Sequence, residues 1–377
     1  MKITAVDVFP IRGTVEHPFE GSIATSNYTH RYSLLVRVRT DDGIEGWGET
    51  YGPLKTLAVG IKEVLEPILL GKDPLVTGTL YARMDRAARA VRPGLSRALS
   101  AVDMALWDIK GHTFQQSIAR LMGREGGGRY PAVATAIFYA GEDHAVAPRL
   151  AEAERLLQDG YFGIKIKVGG LSPAEDVDHV RAIRGAVGDD IVLCVDANSA
   201  YRVQTAVGVA KKLEDLGVYW FEEPVPVEDT EAYAEIARSS AMYLAGGQSL
   251  QSAAAFLPLL EARALHLVQA NLAAVGGFTE LQRLLAIVDS YNALYSPPAW
   301  GTGLLLAAAL QARAASASLL KSPSPDLDWV ECDVTDNPLR EGVLETPIKV
   351  KDGYLEMPTG PGLGVKVNEA AVRSFAF

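Results

Sequence analysis

Residues 162–167 read FGIKIK, 191–196 IVLCVD, 218–223 VYWFEE and 242–247 MYLAGG. Each is a short apolar run that closes on polar groups. These are Lys165 and Lys167, then Asp196 followed by Asn198, then Glu222 and Glu223, then Gly246-Gly247 leading to Gln248. Asp196 to Glu222 is 26 residues and Glu222 to Gln248 is 26 again, about one strand, one helix and two short loops. Such a pitch implies parallel strands joined by right-handed crossovers. A closed parallel barrel would bring the carboxyl ends of those strands to one mouth.

The same rhythm extends both ways. AVATAIFYA (132–140) precedes these runs, and ALHLVQA (264–270) and NALYSPP (292–298) follow, each with its own helical stretch. That makes seven strand–helix units, with an eighth strand expected at LDWVECD (327–333). Ser172-Pro173 is placed as a helix start. Upstream the pattern changes. ITAVDVFPIRG (3–13) and YSLLVRVRTDDGIEGWGET (32–50) alternate like antiparallel strands, with a hairpin turn at Asp42-Gly43. From Leu57 to Met122 the spacing is helical, and Ala98, Ala101, Val102, Ala105, Leu106 and Ile109 share one apolar face. The expected organisation is an α+β unit over 1–125, a barrel over 126–340 and a segment over 341–377 that returns to the first unit.

Length and charge narrow the function. A chain of 377 residues is long for one core. A net charge of −10 offers no basic patch for nucleic acid. The start, MKITAVDVFPIRG, lacks the profile of a signal peptide, and no apolar run reaches the roughly 18 residues of a membrane span. A cytoplasmic enzyme with neither nucleic acid nor membrane as partner is expected. Cys194, inside IVLCVD, reads as a small buried hydrophobe.

Asp196 and Glu222 are hard oxygen donors at neighbouring strand ends, suited to Mg²⁺; a salt bridge or helix cap is the plainer use of each. Asn198, two residues past Asp196, would point the same way on a strand, either towards a substrate hydroxyl or into a turn. Lys165 and Lys167 share one face of an interior strand, where paired lysines are rare. Each would lower the other's proton affinity and so equip a lysine to act as base on a carbon acid.

These residues, in this order, resemble the enolase superfamily and its mandelate racemase-like branch. DDGIEGWGET (41–50) and SAVDMALWDIKG (100–111) are similar to that family's capping domain. KIKVGG (165–170), DANSAY (196–201), WFEEP (220–224), VGGFTE (275–280) and SPPAWGTG (296–303) are similar to its barrel, and GPGLGV (360–365) to its return segment. Among its members, the sugar-acid enzymes, galactarolactone cycloisomerases included, look nearest. The resemblance implies an α/β fold, a modified (β/α)7β TIM barrel under an α+β cap. It also implies a homo-oligomer and abstraction of the proton α to a carboxylate of a small substrate, with Mg²⁺ aiding the enediolate. Lys167 would be the base and Lys165 its electrostatic helper. Asp196, Glu222 and position 248 would hold the metal, and Asn198 would contact substrate. Tyr28, His30 and Trp47, in cap loops, would roof the pocket, with Trp300 as a wall. Glu223 would face away and pair with a cation.

Three positions depart from the family pattern. Gln248 stands where a glutamate ligand is usual, making magnesium binding weak or substrate-dependent. Asn271 and Pro298 stand where the branch carries an aspartate–histidine dyad, leaving Asn271 a substrate contact. None of the histidines (17, 30, 112, 144, 179, 266) replaces that dyad. A two-base racemase is therefore not expected. Three readings remain open: a lyase or isomerase acting on a sugar acid or lactone, a metal-poor relative using lysine alone, or a non-catalytic ligand-binding homologue.

Overall fold

A computed structural model describes residues 1–22, 27–90, 95–139, 145–316 and 329–377. Strands β1 (Ile3–Glu20), β2 (Asn27–Thr40) and β3 (Glu45–Thr50) form an antiparallel sheet, with the β2–β3 turn at Asp42-Gly43. The helix Ser96–Phe114 lies flat against β3. Glycine at 46 and 48 permits this closeness, because a Cβ there would stand 2.2 Å from the Ala105 carbonyl oxygen and 1.9 Å from that of Ala101. Tyr28, His30 and Trp47, expected in loops, lie on strands. The sheet is longer than the alternation alone suggested.

The remaining strands are β4 (Arg129–Thr135), β5 (Gly163–Lys167), β6 (Val192–Asp196), β7 (Val218–Glu222), β8 (Tyr243–Gly246), β9 (Leu267–Val268), β10 (Leu294–Tyr295) and β11 (Val330–Asp333). They run parallel in the order β10-β9-β8-β7-β6-β5-β4-β11, with β12 (Tyr354–Glu356) antiparallel on β4. The eighth strand thus lies beside the first, and helices follow each of the first seven, which is the (β/α)7β pattern. Ala140, Leu327 and Asp328, the ends of two expected strands, lie outside the described residues. The helix Pro173–Val187 starts where expected, on a Ser172/Glu175 capping box. Cys194 is fully buried. Among the described residues no helix is long and apolar enough to cross a membrane.

Buried acids of the N-terminal sheet and its helix join it to the barrel. Glu49 of β3 is completely buried and accepts hydrogen bonds from Ser33 Oγ (2.8 Å), Thr302 N (2.8 Å), Thr302 Oγ1 (2.6 Å) and Leu305 N (2.9 Å). It therefore caps the barrel helix Gly303–Ala315 from the neighbouring unit. Asp103 accepts from Thr279 N at 2.9 Å. Burial pushes Asp103 up to about 7.

That shift yields a stability prediction. An aspartate ordinarily titrates near about 4, so folding favours the neutral acid and the parent protein should lose stability as pH rises from about 4 to about 7. Asp103→Asn cannot ionise and keeps an acceptor oxygen. Its melting temperature relative to the parent should rise across that window and level off above it. The full effect is at most a few kcal/mol, at about 1.4 kcal/mol per pH unit. A difference in melting temperature that stays flat between pH 5 and pH 8 would contradict the assignment.

Candidate active site

Register builds the site. Across the carboxyl ends of four strands, Lys167 pairs with Asp196, Asp196 with Glu222 and Glu222 with Ala245. Lys165 lies one turn of the strand alternation below Lys167, on the same face, and both are buried. The Lys165 ammonium donates to Glu222 Oε2 (2.8 Å) and to Glu331 Oε2 on β11 (2.5 Å). Gln269 Nε2 bridges the same acids, at 2.8 Å from Glu222 Oε2 and 2.9 Å from Glu331 Oε1. Thr135 Oγ1 adds a bond to Glu331 at 3.1 Å. The Lys167 ammonium donates to Asp196 Oδ2 (2.5 Å) and Asn198 Oδ1 (2.8 Å) and sits 5.2 Å from the Phe138 ring centre. Arg149 fixes the end of this strand by donating to the Lys167 carbonyl (2.5 Å).

Charge follows from this packing. Burial alone would lower the proton affinity of Lys165, but Glu222, Glu331 and Asp196 outweigh it and hold the ammonium well above its ordinary value. The expected mutual lowering between the two lysines is thus overturned for Lys165, because three acids surround it. Burial would raise Asp196, yet the Lys167 and Lys165 ammoniums keep it below the usual range. Burial, reinforced by the Asp196 charge, pushes Glu222 up. Burial and Asp196 also push Glu223 up to about 7.

Asn198 meets Lys167 for a different reason from the one expected. Strand β6 ends at Asp196, and Asn198 adopts a left-handed φ of 43° with its N–H on Asp196 Oδ1 (2.8 Å). The turn, not strand alternation, swings its side chain inward. Glu223 is another correction. It stays buried, and its hydrogen-bond donor is the amide of Gln248 (3.4 Å) rather than a cation, while Oε1 has no hydrogen-bond partner.

Lys165, Lys167, Asp196, Asn198, Gln248 and Trp300 all line one cavity, with Tyr28, Thr135, Phe138, Pro298, Ala299, Glu331 and Asp333. Three residues expected at the pocket, Asn271, His30 and Trp47, do not line it, and neither does Glu222, whose Oε2 is taken by Lys165 and Gln269. Asn271 caps the helix Leu272–Val275 through Ala273 N (2.9 Å) and reaches Tyr51 Oη (3.3 Å). His30 contacts Thr29 and borders a neighbouring surface groove. Trp47 stacks on Phe9 within the cap. No histidine among the described residues lines the cavity; His144 lies outside them. Glu331, Gln269 and Thr135 were not foreseen. An acid inside the apolar run WVECD was the available signal for Glu331.

The donors suit magnesium in kind and fall short in charge. Asp196 and Glu222 stand side by side as hard oxygen donors, and Gln248, whose amide nitrogen donates to Glu223, lines the same cavity as Asp196 without adding a charge. Among the described residues no three His, Cys, Asp or Glu side chains are grouped so as to hold a metal.

Comparison with known proteins agrees with this architecture. Residues 3–123 match the model of the mandelate racemase / muconate lactonizing enzyme N-terminal domain, and residues 149–371 that of the enolase C-terminal domain-like family. The chain is 34% identical to D-galactarolactone cycloisomerase of Agrobacterium fabrum over 100% of its own length and 99% of that protein. It is 30% identical to arabinonate dehydratase of Saccharolobus solfataricus, covering 98% of this chain and 94% of the relative. A racemase from Streptomyces coelicolor, solved with bound magnesium, superposes with a TM-score of 0.87 at 28% identity over all of both chains. With an isomerase and a lyase among its full-length relatives, the chain is an enzyme of that kind and belongs to the mandelate racemase / muconate lactonizing enzyme family of the enolase superfamily.

Proposed function

We infer that the protein removes the proton α to the carboxylate of a small sugar acid or its lactone and promotes cycloisomerisation or β-elimination. The observation that carries this is the Lys167 ammonium, buried at the cavity beside Asp196 and Asn198. Once Lys167 has given one proton to solvent, its Nζ takes the α-proton, and the electron pair moves into the carboxylate. Lys165, held as an ammonium by Glu222 and Glu331, stabilises that developing negative charge. Collapse of the charge expels the oxygen on the β-carbon, which takes up a proton. Asp196, Glu222 and the Gln248 amide oxygen would hold Mg²⁺, which when bound supplies further positive charge for the same oxygens. Asn198 presents its amide to the substrate. Pro298 and Ala299 also line the cavity and can neither take nor give a proton, so in this reading Lys167 serves for both removal and return.

A second reading has a specific basis. Asp196 and Glu222 each already spend an oxygen on a lysine, at 2.5 and 2.8 Å, and Gln248 is uncharged. Lysine chemistry without a firmly held metal is the form this would take.

Incubation with sugar acids and lactones in D₂O tests the proposal. Solvent deuterium should enter the α-position, and Lys167→Met should slow its entry roughly a thousandfold. If no compound exchanges, or if the variant exchanges normally, the proposal fails. Loss of exchange with chelator favours magnesium; persistence favours the second reading. Gln248→Glu should tighten Mg²⁺ binding to the ligand-free protein by roughly one to three decades, since unit charges about 4 Å apart interact by about 4 kcal/mol and desolvation returns part of that. Calorimetry giving equal affinities would count against Gln248 as a ligand.

A further inference from the structure

Ile137 has a backbone that needs outside support. It precedes the cavity-lining Phe138, and its φ of 52° puts a β-branched residue in the left-handed region. Such a conformation persists only where the surroundings impose it. The helix Val146–Gln158 does so from both sides of the residue. Glu152 accepts from the Ile137 N–H, and Arg149 Nη2 donates to the Ile137 carbonyl at 3.2 Å. The same Nη2 donates to the Lys167 carbonyl at 2.5 Å, while Lys167 N donates to the Ile137 carbonyl at 3.3 Å. One guanidinium therefore ties together the two segments that carry Phe138 and Lys167, whose ring and ammonium meet at 5.2 Å.

Arg149 is itself held from behind. It is buried, its guanidinium carbon lies 4.7 Å from the Tyr139 ring centre, and Nη1 stands 2.9 Å from Nδ1 of His179 on the helix Pro173–Val187. A guanidinium can only donate, so Nδ1 must accept, and His179 is neutral with its proton on Nε2. Burial and the Arg149 charge both push His179 below its ordinary range. Three acids of its own helix oppose them, and each has other partners. Asp176 accepts from Tyr139, Tyr201 and Gly169 N, Glu175 from Ser172, and Asp178 pairs with Arg181. A protonated His179 would set two cations at bonding distance with no acceptor between them, and the guanidinium would be driven from its place. We propose that Arg149, clamped by neutral His179, is a positioning residue that sets Lys167 and Phe138 at the cavity, and that a proton on His179 undoes the clamp. The effect on turnover rests on the proposed function; the effect on the backbone does not.

Two measurements separate these effects. Amide hydrogen exchange read by mass spectrometry follows the backbone over 136–139 and 163–170 without substrate, and kinetics of α-deuterium incorporation follow turnover. At about pH 8, His179→Lys, a cation at that pH, should raise amide exchange in both segments. It should also cut kcat at least about tenfold while KM changes less than about threefold. His179→Gln keeps an acceptor oxygen and should retain most of the rate. On the acid side the parent's kcat should fall one proton more steeply than that of His179→Gln. Lys167 must lose a proton in both proteins, whereas His179 must be neutral only in the parent. If His179→Lys does not fold, His179→Leu, which removes the acceptor without adding charge, takes its place. Parental amide exchange and kcat in these variants, a loss confined to melting temperature, or acid limbs of equal steepness in parent and His179→Gln overturns the inference. If no compound turns over in the parent, the proposed reaction fails and amide exchange alone decides the clamp: raised exchange in the variant upholds it, and unchanged exchange rejects it.

Discussion

The Lys165 ammonium, closed between Glu222 and Glu331, is the interaction on which the rest of this structure depends. It joins the second strand of the barrel to the fourth and the eighth. Three charges removed from water are tolerable only when their partners stand at bonding distance and the remaining lone pairs are satisfied. The parallel register meets that condition, with Gln269 and Thr135 filling the remaining acceptor sites on the acids. The barrel and its reactive centre are thereby one construction. A slip of one residue in β5 would turn both lysines into the surrounding helices.

How much of this could be read beforehand depended on where a signal stood in its segment. Lys165, Lys167, Asp196 and Glu222 were legible because each interrupts an apolar run at a repeated pitch, and period-two alternation fixed their common side. Glu331 was obscured because the eighth strand is short and follows a stretch rich in serine and proline. Gln269 carries no charge and so gave no sign of the two acids that it spans. Asn198 reaches Lys167 through a backbone turn, and turn geometry lies beyond what alternation can predict. The roles of Asn271 and His30 depended on which way a side chain swings, and only packing decides that. Burial of Glu223 against Gln248 was equally out of reach.

Gln248 and Pro298 give the site a lopsided character. One is an uncharged amide and the other an inert ring, and they share the cavity lining with Lys165 and Lys167 of a single strand. That strand is correspondingly well braced: Arg149 holds the Lys167 carbonyl, while Asp176 accepts from Tyr139 (2.5 Å), Tyr201 (2.9 Å) and Gly169 N (2.7 Å) just beyond it. Such bracing suits the role proposed for Lys167, because small displacements of a base cost much of its effect.

Glu49 has an engineering consequence. It belongs to the N-terminal sheet, yet it serves as the cap of a barrel helix through Thr302 and Leu305. A barrel expressed without residues 1–125 would leave the Thr302 and Leu305 amides without their acceptor in an apolar setting. Chimeras that graft one relative's cap onto another's barrel will succeed only where this carboxylate and its threonine travel together, which makes the pair a practical criterion for choosing crossover points.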